Sequence, residues 1–156
     1  MNILFLDYDG VVNTPMWDDK GTHFCFNFPE DGKVNNFQCV QWVSEFCEKY
    51  NFSIVVTSTW RFLTPFYKEC LYNGGLRKNV EILGCTEIDS HLDRELEIAA
   101  YLELHDNIEK YLIFDDYEHF NHLKDHVVQC DTDLGFNILK YDEAEELYEK
   151  LYRKNT

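Results

Sequence analysis

At 156 residues the chain is long enough for one domain with a sizeable core and too short for two ordinary ones. Its 14 Lys and Arg stand against 29 Asp and Glu, a formal net charge of −15 that repels a nucleic-acid backbone or an anionic membrane at long range. With 45% hydrophobic residues and only 7 Gly and 3 Pro, the composition excludes a low-complexity or disordered chain.

The first predicted strand, residues 2–6, runs directly into Asp7-Tyr8-Asp9-Gly10-Val11. A short buried strand ending in Asp-x-Asp-Gly brings two carboxylates to a sheet edge, where they can hold a hard cation and attack an electrophile. Residues 11–33 then break the pattern. Asp18-Asp19-Lys20-Gly21 reads as a turn, and Phe24, Phe26 and Phe28 alternate as in a β-hairpin inserted after the first strand. Such a hairpin would form a flap over the strand ends; core packing would use the same phenylalanines equally well.

Residues 35–50 carry Phe37, Val40, Val43 and Cys47 at helical spacing. The second core strand, 53–57, ends in Thr57-Ser58-Thr59-Trp60-Arg61. Hydroxyls there can bond a phosphate oxygen, or cap the helix predicted over 62–72. A third strand over 80–83 precedes a helix over 92–104, with Leu92, Leu96 and Ala99-Ala100 on one face and Arg94 in its first turn. Arg94 either neutralises acids and phosphate together or pairs with Glu95 or Glu97 on the surface.

The fourth strand, 111–114, delivers a second acidic pair, Asp115-Asp116. A helix over 117–125, a strand over 127–130 and a final helix over 142–153 complete the chain. Strands alternating with helices predict an α/β fold: a doubly wound, mainly parallel five-stranded sheet in a single domain, 1–156. Ligands in such sheets sit beyond the carboxyl ends of the strands. Both acidic pairs lie there, and like charges so placed need a cation, which makes an oxygen-rich site for Mg²⁺.

With these positions in place, the chain resembles the haloacid dehalogenase (HAD) superfamily of phosphohydrolases over nearly its whole length. Asp7-Tyr8-Asp9-Gly10-Val11 matches the first motif of that superfamily, Thr57 the second, Arg94 the third (more commonly Lys) and Asp115-Asp116 the fourth. The segments Thr57–Arg61, Arg94–Ile98 and Phe114–Asp116 look like a small capless branch that includes HAD domains of RNA-repair proteins. The resemblance implies an aspartyl-phosphate mechanism with Asp7 as nucleophile and Asp9 as general acid and base. It also implies Mg²⁺ held by Asp7, Asp115, the Asp9 carbonyl and, in support, Asp116. Thr57, Ser58 and Arg94 would orient the phosphoryl group. A phosphorylated small molecule is the expected partner, with a nucleic-acid end or a phosphoprotein as alternatives. Transfer to an acceptor other than water, and a non-catalytic binding module, are the competing functions.

Five smaller expectations remain. His119, His122 and His126 would form one stripe on a helix, either a Zn²⁺ site or, preferably, a solvated face. Arg61 is expected to pair with a nearby acid. Trp60 is read as a core residue, with base stacking by Trp60 or Trp17 as the sharper alternative. The six cysteines lack a Cys-x-x-Cys and read as reduced thiols. No targeting or membrane-spanning run is seen, so a cytoplasmic location is expected.

Overall fold

The apolar run Asn2–Leu6 forms β1, the central strand of a five-stranded, all-parallel sheet. In the computed structural model, which describes residues 1–17, 23–25, 38–87 and 93–153, β1 is flanked by β4 (Ser53–Val56) and β6 (Lys110–Asp115). Strands β5 (Ile82–Cys85) and β7 (Val127–Gln129) close the two edges. Between β1 and helix α1 (Gln38–Tyr50), β2 (Pro15–Trp17) and β3 (His23–Cys25) pair antiparallel, the hairpin expected after the first strand. Its turn at Asp18–Gly21, together with Phe26, Phe28 and Phe37, lies outside the described residues. No cap domain is present among the described residues.

Alternation along β1 decides how the sheet is covered. Leu4 and Leu6 join a large cluster with Val40, Val43 and Phe46 of α1, and with Tyr141 and Ala144 of α5 (Ile138–Tyr152). Ile3 and Phe5 point the other way, onto Val55, Ile113 and Ile98 of α4 (Arg94–Leu104). Every one of these side chains is buried. Removing a central residue such as Phe5 would cost about 3–5 kcal/mol. No helix among the described residues is long and apolar enough to cross a membrane.

Four expectations are corrected. The helix over 62–72 is two pieces, α2 (Trp60–Leu63) and α3 (Tyr67–Asn73). Pro65 forces the preceding Thr64 into extended backbone (φ −151°, ψ 138°), which stops a helix there. β5 lies two residues later than predicted, because Val80 is buried from a turn in which its N–H donates to the Arg77 carbonyl. On α4 the buried apolar residue is Ile98, while Leu96 is 48% exposed; Leu92 lies outside the described residues.

The fourth concerns residues 117–125, which form no α-helix; only a 3₁₀ turn, Lys124–His126, appears. Backbone donors a helix would need are taken by a side chain: Asn121 and Leu123 N–H donate to Glu95 Oε2 at 2.7 and 3.1 Å. Tyr117 N–H, which has no acceptor within a helix starting there, donates to Asp115 Oδ1 at 2.9 Å. The histidine stripe therefore does not form. His119 and His122 are exposed, whereas His126 stacks on Tyr111 at 4.0 Å. Cys39, Cys47, Cys70, Cys85 and Cys130 are free thiols, and burial pushes Cys47 and Cys130 well above the ordinary thiol range.

Candidate active site

At the carboxyl end of β1 the chain turns within five residues. The Tyr8 carbonyl accepts N–H bonds from Val11, Val12 and Asn13 at 2.8–3.1 Å, while the Tyr8 hydroxyl reaches the Tyr67 carbonyl at 2.7 Å. The buried Tyr8 ring thus pins the turn, and Asp7 and Asp9 emerge on its other side. Gly10 lies at φ +79°, a conformation that costs a side-chain-bearing residue energy. A Cβ there would also sit 2.2 Å from Asp116 Oδ2. Glycine is what lets the first acidic pair approach the second.

The tips of β1 and β6 meet at Arg94, the first residue of α4, whose start is fixed by Asp93 accepting the Leu96 N–H at 2.9 Å. Arg94 Nη1 lies 2.9 Å from Asp7 Oδ2 and 2.8 Å from Asp115 Oδ2. All its bonds to acids run through Nη1; among the described residues Nη2 takes none. Arg94 therefore bridges the two buried carboxylates and not Glu95 or Glu97, the surface partners weighed from sequence. Asp7, Asp115 and Asp116 each offer one oxygen within 4.8 Å of the others.

Burial, reinforced by Asp115, pushes the Asp7 carboxyl well above the ordinary carboxylate range against the pull of Arg94. Burial raises Asp115 too, with Arg94 and the Tyr117 N–H opposing. Burial lowers the Arg94 guanidinium, but the two carboxylates more than offset it and its affinity for the proton rises. One cation thus faces three clustered acids, an excess of negative charge held by hard oxygen donors. Those donors fit a divalent cation such as Mg²⁺.

Asp9 stands apart from that cluster and is exposed. Its Oδ1 accepts from Asn13 Nδ2 at 2.7 Å and from Trp60 Nε1 at 2.8 Å, while Oδ2 takes no bond among the described residues. Trp60 is a partly buried residue with a polar contact as well as an apolar one. It packs against the core and fixes one oxygen of Asp9. Its indole N–H was not legible as a ligand for Asp9, because 51 residues separate the two.

A cleft of about 420 Å³ opens over these groups. Asp7, Asp9, Thr57, Arg94 and Asp116 all line it. Asp115 lies behind them, fully buried. Thr57 Oγ1 is buried with no hydrogen-bond partner among the described residues, and such an orphan costs roughly 1–3 kcal/mol unless a ligand satisfies it. Ser58 is not among the cleft-lining residues; its Oγ accepts the Trp60 N–H at 3.2 Å. Arg61 pairs with Glu97 at 2.8 Å, as expected, and donates to the Thr57 and Ser58 carbonyls. Its buried Nε has no partner among the described residues.

A family model described as the HAD domain in Swiss Army Knife RNA repair proteins matches residues 3–138. No curated protein and no solved structure matches the chain.

Proposed function

The chain belongs to the family of HAD domains found in Swiss Army Knife RNA repair proteins, and so to the HAD-type phosphohydrolases in general; within that class we propose that it is a Mg²⁺-dependent phosphomonoesterase working through an aspartyl-phosphate. The observation that carries the reading is the convergence of Asp7, Asp115 and Asp116 within 4.8 Å beside an unpartnered Thr57 hydroxyl. A binding module would gain nothing from so costly a cluster of like charges.

Asp7, Asp115 and Asp116, with the Asp9 backbone carbonyl, would hold Mg²⁺, which would screen the acids and the phosphoryl charge from one another. An Asp7 oxygen attacks phosphorus and the bond to the leaving oxygen breaks, leaving the phosphoryl group on Asp7. Asp9 gives its proton to the departing oxygen. It then removes a proton from water, whose oxygen attacks phosphorus and restores the Asp7 carboxylate with release of inorganic phosphate. Thr57 Oγ1 and Arg94 Nη2 orient the phosphoryl oxygens. Asn13 and Trp60, both bound to Asp9 Oδ1, leave Oδ2 to carry the proton.

The proposed substrate is a nucleotide or another small phosphomonoester. The family description favours a second reading, a phosphorylated RNA end; the net charge of −15 opposes long polyanions. Hydrolysis of p-nitrophenyl phosphate tests the class. Wild type with Mg²⁺ should turn it over, and EDTA or Asp7→Asn should abolish turnover. A folded wild type that binds Mg²⁺ but cleaves no phosphomonoester in a broad panel would refute the proposal.

A further inference from the structure

Two large aromatic side chains stand at the mouth of the cleft, and the chemistry proposed above uses neither. Phe62 of α2 is 46% exposed and Tyr117, just beyond β6, is 38% exposed; both line the cleft. Their strands flank β1 on opposite sides, so the two rings arise on either side of Asp7. Each ring has neighbours against it. The Arg61 guanidinium lies 4.5 Å from the centre of the Phe62 ring, and Tyr117 meets His119 and Phe120 edge-on at 5.4 and 5.5 Å. The Tyr117 N–H is bonded to Asp115, so this ring is tied to the acidic cluster by one residue of backbone. Exposed aromatic faces that are held in place are suited to stacking on a planar group, a contact indifferent to net charge.

The charges of the same cleft restrict what else the substrate can carry. Both guanidinium groups in its wall are matched to acids, Arg61 to Glu97 and Arg94 to Asp7 and Asp115. Asp93 and Glu97 add negative charge around the opening. Among the described residues lining the cleft no lysine or further arginine is left for a second phosphate.

We propose that Phe62 and Tyr117 are specificity-determining residues that stack on the planar base of a nucleoside monophosphate, and that the site discriminates against substrates bearing additional phosphates. This rests on the phosphomonoesterase reading for its chemistry, but the aromatic subsite can be tested apart from turnover.

Adenosine 5′-monophosphate and ribose 5-phosphate share one primary alkoxide leaving group and differ at C1, which bears the base in one and a hydroxyl in the other, so their comparison reports on the base. Wild type should show kcat/KM at least about tenfold higher for the nucleotide, in keeping with base stacking on an aromatic side chain. Phe62→Ala and Tyr117→Ala should each erode most of that ratio, and Phe62→Tyr should restore it. A 5′-phosphorylated adenine dinucleotide should be a poorer substrate than the mononucleotide. In parallel, calorimetry on Asp7→Asn should show the same ranking in affinity. Equal kcat/KM and equal affinity for the two monophosphates, equal losses on both in the alanine variants, or preference for the dinucleotide would overturn the proposal. Base-dependent binding without wild-type turnover would keep the subsite and remove the phosphatase reading; efficient turnover blind to the base would do the reverse.

Discussion

Asp9 shows how neighbouring groups can divide the two oxygens of one carboxylate between structure and chemistry. Asn13 and Trp60 both bond Oδ1, at 2.7 and 2.8 Å. Trp60→Phe keeps the ring against the core and removes one bond. It should lower kcat by about tenfold, a fraction of the usual worth of a general acid–base group, with little change in KM. An unaltered kcat would separate Trp60 from proton transfer. Gly10→Ala places a methyl group 2.2 Å from Asp116 Oδ2 at φ +79°. It should cost more than about 1 kcal/mol in denaturant unfolding and weaken the Mg²⁺ response. The strand-end acids, Thr57 and Arg94 were legible in the chain because each sits directly after a strand or at a helix start. Ser58 shows the limit of that reasoning: adjacency to Thr57 does not settle which hydroxyl reaches the cleft, and backbone direction sends Ser58 to the Trp60 amide.

At the scale of elements, β1 was legible to the residue and the parallel sheet, though not its strand order, followed from alternation, since period and burial agree there. The segment 117–125 was not, because its apolar spacing is helical while its amides are claimed by Glu95, a residue more than 20 positions earlier. No local pattern reports such a tertiary acceptor. Glu95 therefore organises the loop that carries Tyr117. Burial would raise its carboxyl, but the Leu123 and Asn121 amides prevail and its pKa is lowered. A folded pKa below the unfolded one contributes stability above the ordinary carboxylate range that is lost as pH falls through the depressed value. Glu95→Gln should accordingly cost about 1 kcal/mol at neutral pH, the difference between a charged and a neutral acceptor, and the gap from wild type should close on acidification. A gap independent of pH would show that the charge of Glu95 is not what holds the loop.

Across the whole molecule, fold and charge act on different questions. The sheet brings acids from β1 and β6 together, and a net charge of −15 repels polyanions at long range. Proteins that bind nucleic acids lose affinity as salt rises. Here screening should act in the opposite sense: kcat/KM on a 5′-phosphorylated oligonucleotide should rise between low and moderate salt. A steep fall would mark a cationic docking surface and favour the RNA-end reading. The metal-free cluster should also respond as a unit. Asp7→Asn removes one of three crowded acids, leaves Arg94 paired with Asp115, and should melt no lower than metal-free wild type. In wild type Mg²⁺ should raise Tm, more so at higher pH, since the raised Asp7 and Asp115 carboxyls must lose their protons to bind it. The variant should lose most of that shift.

The most direct test of the account is to look for the phosphoryl group on the side chain assigned to carry it. Wild type mixed rapidly with p-nitrophenyl phosphate and Mg²⁺, then quenched in acid, should gain the mass of one phosphoryl group. That group should be labile to hydroxylamine and map to the peptide containing Asp7, and neither EDTA-treated enzyme nor Asp7→Asn should show it. Turnover with no trapped phosphoryl group under conditions that slow its hydrolysis, or a phosphoryl group on another residue, would contradict the assignment of Asp7 as nucleophile.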